Sequence, residues 1–419
     1  MYNTATEIDQ LLSTIIVVFF KAIVIYLCIY SKLNKCSCFL NHKKTVLMTE
    51  LRKLVFRSIT VICIGYIIRC FLNKSTDSYT YHIYSSIELN DQLITNKNYG
   101  KLEKIDLMNY SGPESLIYHD GSLYATVIQG KILKINDSGI YVHATLGSPN
   151  CVGVHECGRP LGLKLFNNSE NFLVTDAYLG VFSVSVKDGS VKKLFPLDED
   201  FKVTFFDDSV MLPNGSLVIT EASTKNTLQH LWTTILEGLP SGRLTMADTK
   251  TGQYSHIMDG LRFPNGIEIS SDGKSILLVE TMKLRILRIP LDGGEVTVFS
   301  DGLPGFPDNI KASPRGGYWV PVSPLRDEPL SELLLNYLPA YPCIRQLASS
   351  IISMLPFTLI PKGKSSMLIR LDENGQIIEI WKDFQNELPN ACEVLEHDDT
   401  LYTGSFYLPY IGRLRRLSN

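Results

Sequence analysis

The stretch FPNGIEISSDGKSILLVE, residues 263–280, decides the fold of this chain. It opens on a small polar signature, continues as a short apolar strand, turns at Asp272-Gly273 and returns as a second apolar strand. Asp-Gly and Asn-Gly pairs suit tight hairpin turns, because they tolerate left-handed backbone angles. The stretch therefore predicts the first two strands of a β-sheet unit.

Five other segments follow the same pattern. They are GPESLIYHDGSLYAT (112–126), RPLGLKLFNNSENFLVTD (159–176), FFDDSVMLPNGSLVITE (205–221), FPDNIKASPRGGYWVPV (306–322) and NACEVLEHDDTLYTGS (390–405). Sheet units that repeat without helical units between them are typical of propeller blades around a central channel. A β-sandwich is the alternative, but it gives no reason for one signature to recur six times. We predict an all-β fold, a six-bladed β-propeller over about residues 80–419.

Two insertions interrupt the repeats. Residues 226–238 (NTLQHLWTTILEG) predict a short helix. Residues 325–364 are longer, apolar and broken by prolines, and they predict a helical insertion. The second insertion is interpreted as a cap packed on the propeller, or as a lid or membrane-contacting element over the channel mouth.

Apolar residues before the propeller predict a membrane anchor. Residues 54–72 are long enough to span a bilayer, and residues 11–30 are a possible first span despite Lys21 at their middle. The chain between them is basic, and the positive-inside rule places that stretch in the cytoplasm. If only residues 54–72 span, all of residues 1–53 are cytoplasmic. With one span or two, the propeller lies on the other side, as in a type II protein, lumenal or extracellular, at the plasma membrane or the endoplasmic reticulum. Translation from Met48 and a cleaved signal peptide remain alternatives.

The chain is 45% hydrophobic with a net charge of −3, which gives no electrostatic case for a nucleic-acid partner.

The cysteine positions and the glycosylation sequons agree with a location outside the cytoplasm. Cys151 and Cys157 bracket a short loop and would form a disulfide in an oxidising compartment, unless they are unrelated thiols. Five asparagines stand in glycosylation sequons, which suits a glycoprotein. They are Asn73, Asn109, Asn136, Asn167 and Asn214.

The same position of four repeats carries a side-chain oxygen. Asp207, Asn265 and Asp308 each stand eight residues before the turn glycine, and Glu114 stands seven before it. Since first strands line the channel of a propeller, the four side chains should converge. Oxygen ligands without thiol or imidazole favour calcium over zinc or copper. The alternative is that these residues cap turns at separate blade edges.

The sixth repeat brings Glu393 to the channel. A carboxyl group there could act as a general acid or base, and a solvated or hydrogen-bonded acid is the alternative. The chain contains no credible Ser-His-Asp grouping, phosphate loop or zinc signature.

Several motifs, in order, resemble the family of adipocyte plasma membrane-associated protein and its strictosidine synthase-like relatives. The motifs are GPES at Gly112, CGRPLG at Cys157, DAYLG at Asp176, SGRL at Ser241, LRFPNGIE at Leu261, ETMKLRILR at Glu280, GFPDNI at Gly305 and GGYWV at Gly316. The resemblance covers about residues 75–419. It implies a six-bladed propeller of a calcium-dependent hydrolase superfamily that includes paraoxonases and gluconolactonase-type lactonases, and members like the adipocyte protein are credited with arylesterase activity.

By motif, the resemblance implies calcium ligands at Glu114, Asp207, Asn265, and Asp308 with Asn309. The second position usually reads Asn-Asp in the family and here reads Asp207-Asp208, so the site gains a charge. In the hydrolases, the aspartate that matches Asp308 doubles as the catalytic base. The histidine pair of paraoxonases has no counterpart at the level of motifs.

The resemblance also bears on Glu393 and on the cysteine pair. Glu393 matches the glutamate that strictosidine synthases use for condensation, although the same glutamate occurs in relatives that are not expected to make alkaloids. The pair Cys151 and Cys157 matches a pair in the membrane-anchored relatives.

Three functions remain open from the sequence. The first is a membrane-anchored, calcium-dependent hydrolase of esters or lactones, arylesterase-like, with Asp308 and Glu393 as candidate catalytic residues. The second is a non-catalytic calcium-binding ectodomain, and the third a condensing enzyme of the strictosidine synthase type. The expected partners are a small ester or lactone substrate and, through the N-terminal helix, a membrane.

Overall fold

The structure is a computed structural model that describes residues 53, 57, 65, 91–166, 170–198, 200–353 and 363–417. Contacts divide the chain into Met1–Lys74 and Ser75–Asn419. In the first unit only Lys53, Arg57 and Gly65 are described, and all three are helical. None of the helices described is long and apolar enough to cross a membrane. The predicted span 11–30, and 54–72 apart from Arg57 and Gly65, lie outside the described residues.

Six antiparallel sheets follow one another along the chain and confirm the predicted six-bladed propeller. Blade 1 contains β2 (Leu116–His119), β3 (Ser122–Val127), β4 (Lys131–Asn136) and β5 (Gly139–Thr145). Blade 2 contains β6 (Pro160–Phe166), β7 (Asn171–Asp176), β8 (Gly180–Ser185) and β9 (Val191–Phe195). Blade 3 contains β10 (Phe206–Met211), β11 (Ser216–Glu221), β12 (Gly242–Asp248) and β13 (Tyr254–Leu261).

The remaining blades vary the pattern. Blade 4 contains β14 (Pro264–Ile269), β15 (Ser275–Glu280), β16 (Arg285–Pro290) and β17 (Thr297–Ser300). Blade 5 contains β18 (Gly305–Pro307), β19 (Lys311–Ala312), β20 (Tyr318–Leu325), β21 (Met367–Leu371) and β22 (Ile377–Lys382). Blade 6 contains β23 (Ala391–His397), β24 (Thr400–Ser405), β25 (Tyr410–Arg415) and the N-terminal β1 (Glu103–Asp106).

The core lies between neighbouring blades. The second strands β3 and β15 are buried at every residue, because both faces of each sheet pack against the next one. This explains why the strand SILLVE (Ser275–Glu280) is apolar at successive positions rather than at alternate ones. The outer strand β13 is mostly exposed. First strands of successive blades contact each other around the axis, as β2 does with β6 and with β23.

The predicted insertions contain helices. Within the loop from β11 to β12, α2 spans Leu231–Glu237. Between β20 and β21 lie α3 (Pro329–Glu332), a π-helical turn (Leu333–Tyr337), a 3-10 turn (Leu338–Ala340) and α4 (Pro342–Ile352). The helices α2 and α4 pack together. The carbonyl of Glu237, at the end of α2, accepts a 2.6 Å hydrogen bond from Arg345, and that of Gly238 accepts one from Arg262.

The predicted disulfide is present. Cys151 and Cys157 are bonded and close a loop that holds α1 (Val154–Cys157), just before β6. Among the predicted glycosylation sites, Asn109 and Asn214 are exposed and Asn136 is half-buried, whereas Asn73 and Asn167 lie outside the described residues.

A buried polar cluster fastens the N-terminal segment to blade 5. The Tyr99 hydroxyl donates a 2.6 Å hydrogen bond to Glu379 on β22. Arg315 and Arg370 form ion pairs with the same carboxylate, at 3.0 and 2.8 Å. Burial and the hydrogen bond to Glu379 raise the pKa of Tyr99, so it remains a donor at any physiological pH. The cluster therefore holds the segment that leads into β1.

We predict that Tyr99→Phe lowers the free energy of unfolding by about 1–3 kcal/mol, because it removes a hydrogen bond to a buried charged group. Urea denaturation followed by tryptophan fluorescence would measure the loss. Tyr402→Phe is the matched control, since the half-buried Tyr402 hydroxyl makes no hydrogen bond with the described residues. Equal losses in the two variants would contradict the prediction.

Candidate functional site

One residue from each blade lines a single pocket on the propeller axis. Each follows a proline or a phenylalanine at the start of its blade's first strand. In blade order they are Glu114, Leu161, Asp207, Asn265, Asp308 and Asn390, and we call them the axial ring. Five of the six carry side-chain oxygens, so the floor of the pocket is polar on every side except at blade 2.

The structure brings together four of the predicted metal ligands. Glu114, Asp207, Asn265 and Asp308 all belong to the axial ring. The fifth, Asn309, lies behind Glu114 and donates a 3.3 Å hydrogen bond to its Oε1 atom, without lining the pocket. The close approach of blades 4 and 5 depends on Gly266, where a Cβ atom would lie 2.6 Å from the Cα of Asn309.

Sequence reasoning missed the sixth member of the axial ring. The pair Pro389-Asn390 repeats Pro264-Asn265, and this was the available signal. The sixth repeat was instead aligned at Glu393, three residues further along the strand. Strand side chains alternate, so residues three apart normally face opposite sides of the sheet. Both β14 and β23 contain a register shift at this point, and the simple alternation therefore does not hold there.

Burial raises the pKa values of the acids in the ring. It raises the pKa of Glu114 well above its usual range, with added repulsion from Asp308 and Asp207. It does the same for Asp207, beside Asp308 and Asp208. It raises the pKa of Asp308 to about 7, although a hydrogen bond with Asn265 lowers it in part. Three carboxyl groups thus share a site that disfavours their combined negative charge.

The donor set of the ring fits a hard cation. Glu114 Oε2 and Asn265 Oδ1 are buried and have no hydrogen-bond partner among the described residues. No lysine, arginine or histidine is among the described residues that line the pocket. As the side chains stand in the described part of the chain, no three Asp, Glu, His or Cys residues are placed to hold an ion together. Carboxylate and amide oxygens are the ligands that calcium takes.

The walls and roof of the pocket are mostly apolar, with Thr281 and Ser323 as polar members. Phe205, Phe263 and Phe306 stand at the axial ring, and Phe406 and Tyr407 stand beside Asn390. Both insertions contribute the roof: Leu231, Trp232 and Ile235 from α2, and Leu334 from the π-helical turn. A small molecule in this pocket would touch oxygens at one end and hydrocarbon elsewhere, as in most ligand sites.

A second layer of charges lies beneath the ring, and here the positive charges are matched to negative ones. Lys164 contacts Asp208 at 2.6 Å, and Lys311 contacts Glu393 at 2.8 Å. Glu268 lies near both lysines, and burial raises its pKa. Lys164 thus pairs with Asp208. Asp207, which adds the extra charge noted in the Asp-Asp pair, lines the pocket instead.

Glu393, the second candidate catalytic residue, belongs to this lower layer. Besides Lys311, its carboxylate accepts a 2.8 Å hydrogen bond from the Ser115 hydroxyl and a 3.0 Å one from the Val394 amide. It does not line the pocket. In this arrangement Glu393 is a hydrogen-bonded, paired acid rather than a group presented to a ligand.

Comparisons with known proteins agree with the fold and the motifs. The family model described as strictosidine synthase matches residues 207–293, and the model of the strictosidine synthase-like N-terminal region matches residues 94–135. A gluconolactonase from Xanthomonas campestris has a similar structure, with a TM-score of 0.52, 12% identity, and coverage of 79% of this chain and 94% of that one. At that identity the likeness concerns the fold alone.

Relatives with a higher sequence identity to this chain than the gluconolactonase include an animal protein and a plant protein. Adipocyte plasma membrane-associated protein of Danio rerio is 35% identical over 317 residues, which cover 72% of this chain and 75% of that protein. A strictosidine synthase-like protein of Arabidopsis thaliana is 31% identical over 325 residues, which cover 71% of this chain and 78% of that protein. Identity at this level over most of both proteins confirms the resemblance found in the motifs. The chain belongs to the strictosidine synthase-like family that includes adipocyte plasma membrane-associated protein.

Proposed function

We propose that this protein is a membrane-anchored, calcium-dependent hydrolase of esters or lactones. One feature of the pocket carries the proposal: two buried carboxyl groups, one half-buried carboxyl group and two amide oxygens without a partner among the described residues stand at the floor of a pocket with mostly apolar walls. Buried acids of like charge are costly unless they are protonated or bind a cation. A small substrate with one polar group fits the combination of floor and walls.

Calcium would be held by Glu114, Asp207, Asn265 and Asp308, with Asn309 orienting Glu114. When bound, calcium would polarise an ester carbonyl and stabilise negative charge on the carbonyl oxygen. The phenylalanines of the wall and the roof residues of α2 exclude water and hold the apolar part of the substrate. Asp308 is the candidate base, since a carboxylate in the pocket can take the proton of an attacking water molecule.

A non-catalytic calcium-binding ectodomain is the second candidate. It is favoured by the absence of histidine among the described residues that line the pocket and by the pairing of Glu393 with Lys311. In that case calcium would only tie the blades together. The same pairing of Glu393 leaves a condensing reaction without support in the geometry.

The location is also part of the proposal. A disulfide between Cys151 and Cys157 and exposed sequons at Asn109 and Asn214 suit a propeller in the lumen or outside the cell. Relatives such as the Danio rerio protein carry membrane association in their names. The apolar segment 54–72 would supply the anchor.

We expect the full-length chain to hydrolyse phenyl acetate with calcium and to lose this activity in a chelator, with recovery when calcium is restored. Asp308→Asn should reduce kcat by at least about 100-fold, the range that general-base catalysis contributes. The matched control is Asp259→Asn, an exposed acid on β13 outside the pocket. Turnover that is insensitive to both the chelator and Asp308→Asn would contradict the proposal that hydrolysis depends on calcium and on Asp308.

The stabilisation by calcium should depend on pH. The pKa of Asp308 is raised from 3.8 to about 7, and those of Glu114 and Asp207 are also raised. An acid whose pKa is higher in the folded state adds stability below its unfolded pKa and loses it as pH rises through the folded value. The metal-free protein should therefore lose stability from about pH 4 to pH 7 through Asp308, and Glu114 and Asp207 should act in the same direction as pH rises.

Calcium competes with protons for the same oxygens, so its addition should raise Tm more at pH 8 than at pH 5. Differential scanning fluorimetry with calcium and with chelator would measure both shifts. A calcium shift that is equal at the two pH values would show that these carboxyl groups are not the ligands.

We predict that Asn109 and Asn214 carry N-linked glycans when the full chain is expressed in animal cells. Asn109→Gln and Asn214→Gln should each remove one glycosidase-sensitive increment of mass on a gel. As a control, Asn374→Gln changes an asparagine outside any sequon and should leave the mass unchanged. A chain without glycosidase-sensitive mass would contradict the prediction for both sites.

A further inference from the structure

Asn390 is an axial ring residue with an unpartnered side-chain oxygen. Its Oδ1 atom is buried and has no hydrogen-bond partner among the described residues, as is also true of Asn265 Oδ1. A buried polar atom without a partner costs free energy and calls for an explanation. Asn390 lines the pocket between the blades that carry Asp308 and Glu114.

The backbone of Asn390 is held in a conformation that few residue types adopt readily. Its φ angle is 53°, in the left-handed region, which asparagine tolerates better than most side chains. Its amide donates a 3.1 Å hydrogen bond to Ser323, and its carbonyl accepts a 3.3 Å one from Phe406. The next amide, of Ala391, donates to Ser366 at 3.0 Å. The backbone is thus fixed around a side-chain oxygen that has no hydrogen-bond partner in the described part of the chain.

The other two amides near the acids are committed. Asn265 hydrogen-bonds Asp308, and Asn309 donates to Glu114. Turning either amide would break a bond to a carboxylate. The Asn390 amide can make a half-turn about its Cβ–Cγ bond and break no hydrogen bond with the described residues. It can therefore present either its oxygen or its N–H group to the pocket.

We propose that Asn390 is a substrate-binding residue that donates a hydrogen bond from its side-chain N–H group to an oxygen of the reacting ester or lactone. This inference rests on the proposed function. An ester group offers only acceptor oxygens, so the donor must come from the protein. Phe406 and Tyr407 beside Asn390 keep this bond in an apolar setting, where it is stronger than in water.

Asn390→Gly tests the proposal, because glycine adopts the left-handed conformation without strain and removes the amide. The kcat/KM for phenyl acetate should fall about tenfold, as expected for one lost hydrogen bond to the substrate, while the Kd for calcium changes by less than about twofold. Asn386→Gly is the matched control, since Asn386 is exposed, has a φ angle of 56° and lies outside the pocket. It should leave kcat/KM unchanged.

Three results would overturn the proposal. The first is an unchanged kcat/KM in Asn390→Gly. The second is a fall in calcium affinity that accounts for the loss of activity, which would make Asn390 a metal ligand. The third is an equal loss in Asn386→Gly, which would trace the effect to the backbone.

A separate measurement covers a failure of the proposed function itself. If the wild-type chain shows no turnover, binding of 4-fluoroacetophenone, which carries a carbonyl oxygen on an apolar ring, is followed by fluorine NMR on the calcium-loaded protein. Weaker binding by Asn390→Gly than by both wild type and Asn386→Gly would support the hydrogen bond without any hydrolysis. Equal binding by all three would overturn it.

Discussion

The closure of the sixth blade is the constraint on which the rest of the structure depends. The N-terminal strand β1 pairs with β25, so blade 6 is built from both ends of the propeller chain. A ring of sheets has a common axis only when it is closed, and without β1 the last sheet would end on an unpaired edge. The convergence of six ring residues from six blades on one pocket is thus a consequence of strand pairing at the outer rim.

The axis contains two layers of charge with different balances. In the lower layer, Lys164 and Lys311 stand within hydrogen-bond distance of Asp208 and Glu393. In the axial ring, Glu114, Asp207 and Asp308 face the pocket without a basic side chain among its described lining residues. In the lower layer each lysine has a carboxylate partner, whereas the three acids of the axial ring have no basic partner among the described residues that line the pocket. This difference separates the structural part of the channel from the part that can bind a ligand.

The repeated pattern of strands predicted the blades, and the shared offset from the turn glycine predicted four of the six ring residues. Both depend on local chemistry that recurs along the chain. The register shifts in β14 and β23 change which side chains face the axis, and the alternation of residues in the sequence gives no sign of them. Hence Glu393 was aligned with the ring in place of Asn390. The lysine partners of Asp208 and Glu393 come from other blades, at separations for which one sequence contains no signal.

The roof of the pocket joins parts of the chain that belong to different blades. Helix α2 extends from blade 3 and α4 from blade 5. Arg345 of α4 and Arg262, which lies between β13 and β14, donate hydrogen bonds to the carbonyls at the end of α2. The end of α2 is therefore held both by the insertion of blade 5 and by the connection between blades 3 and 4. Since residues that share one hydrogen-bond network do not contribute independently, substitutions in the two insertions should have non-additive effects on stability.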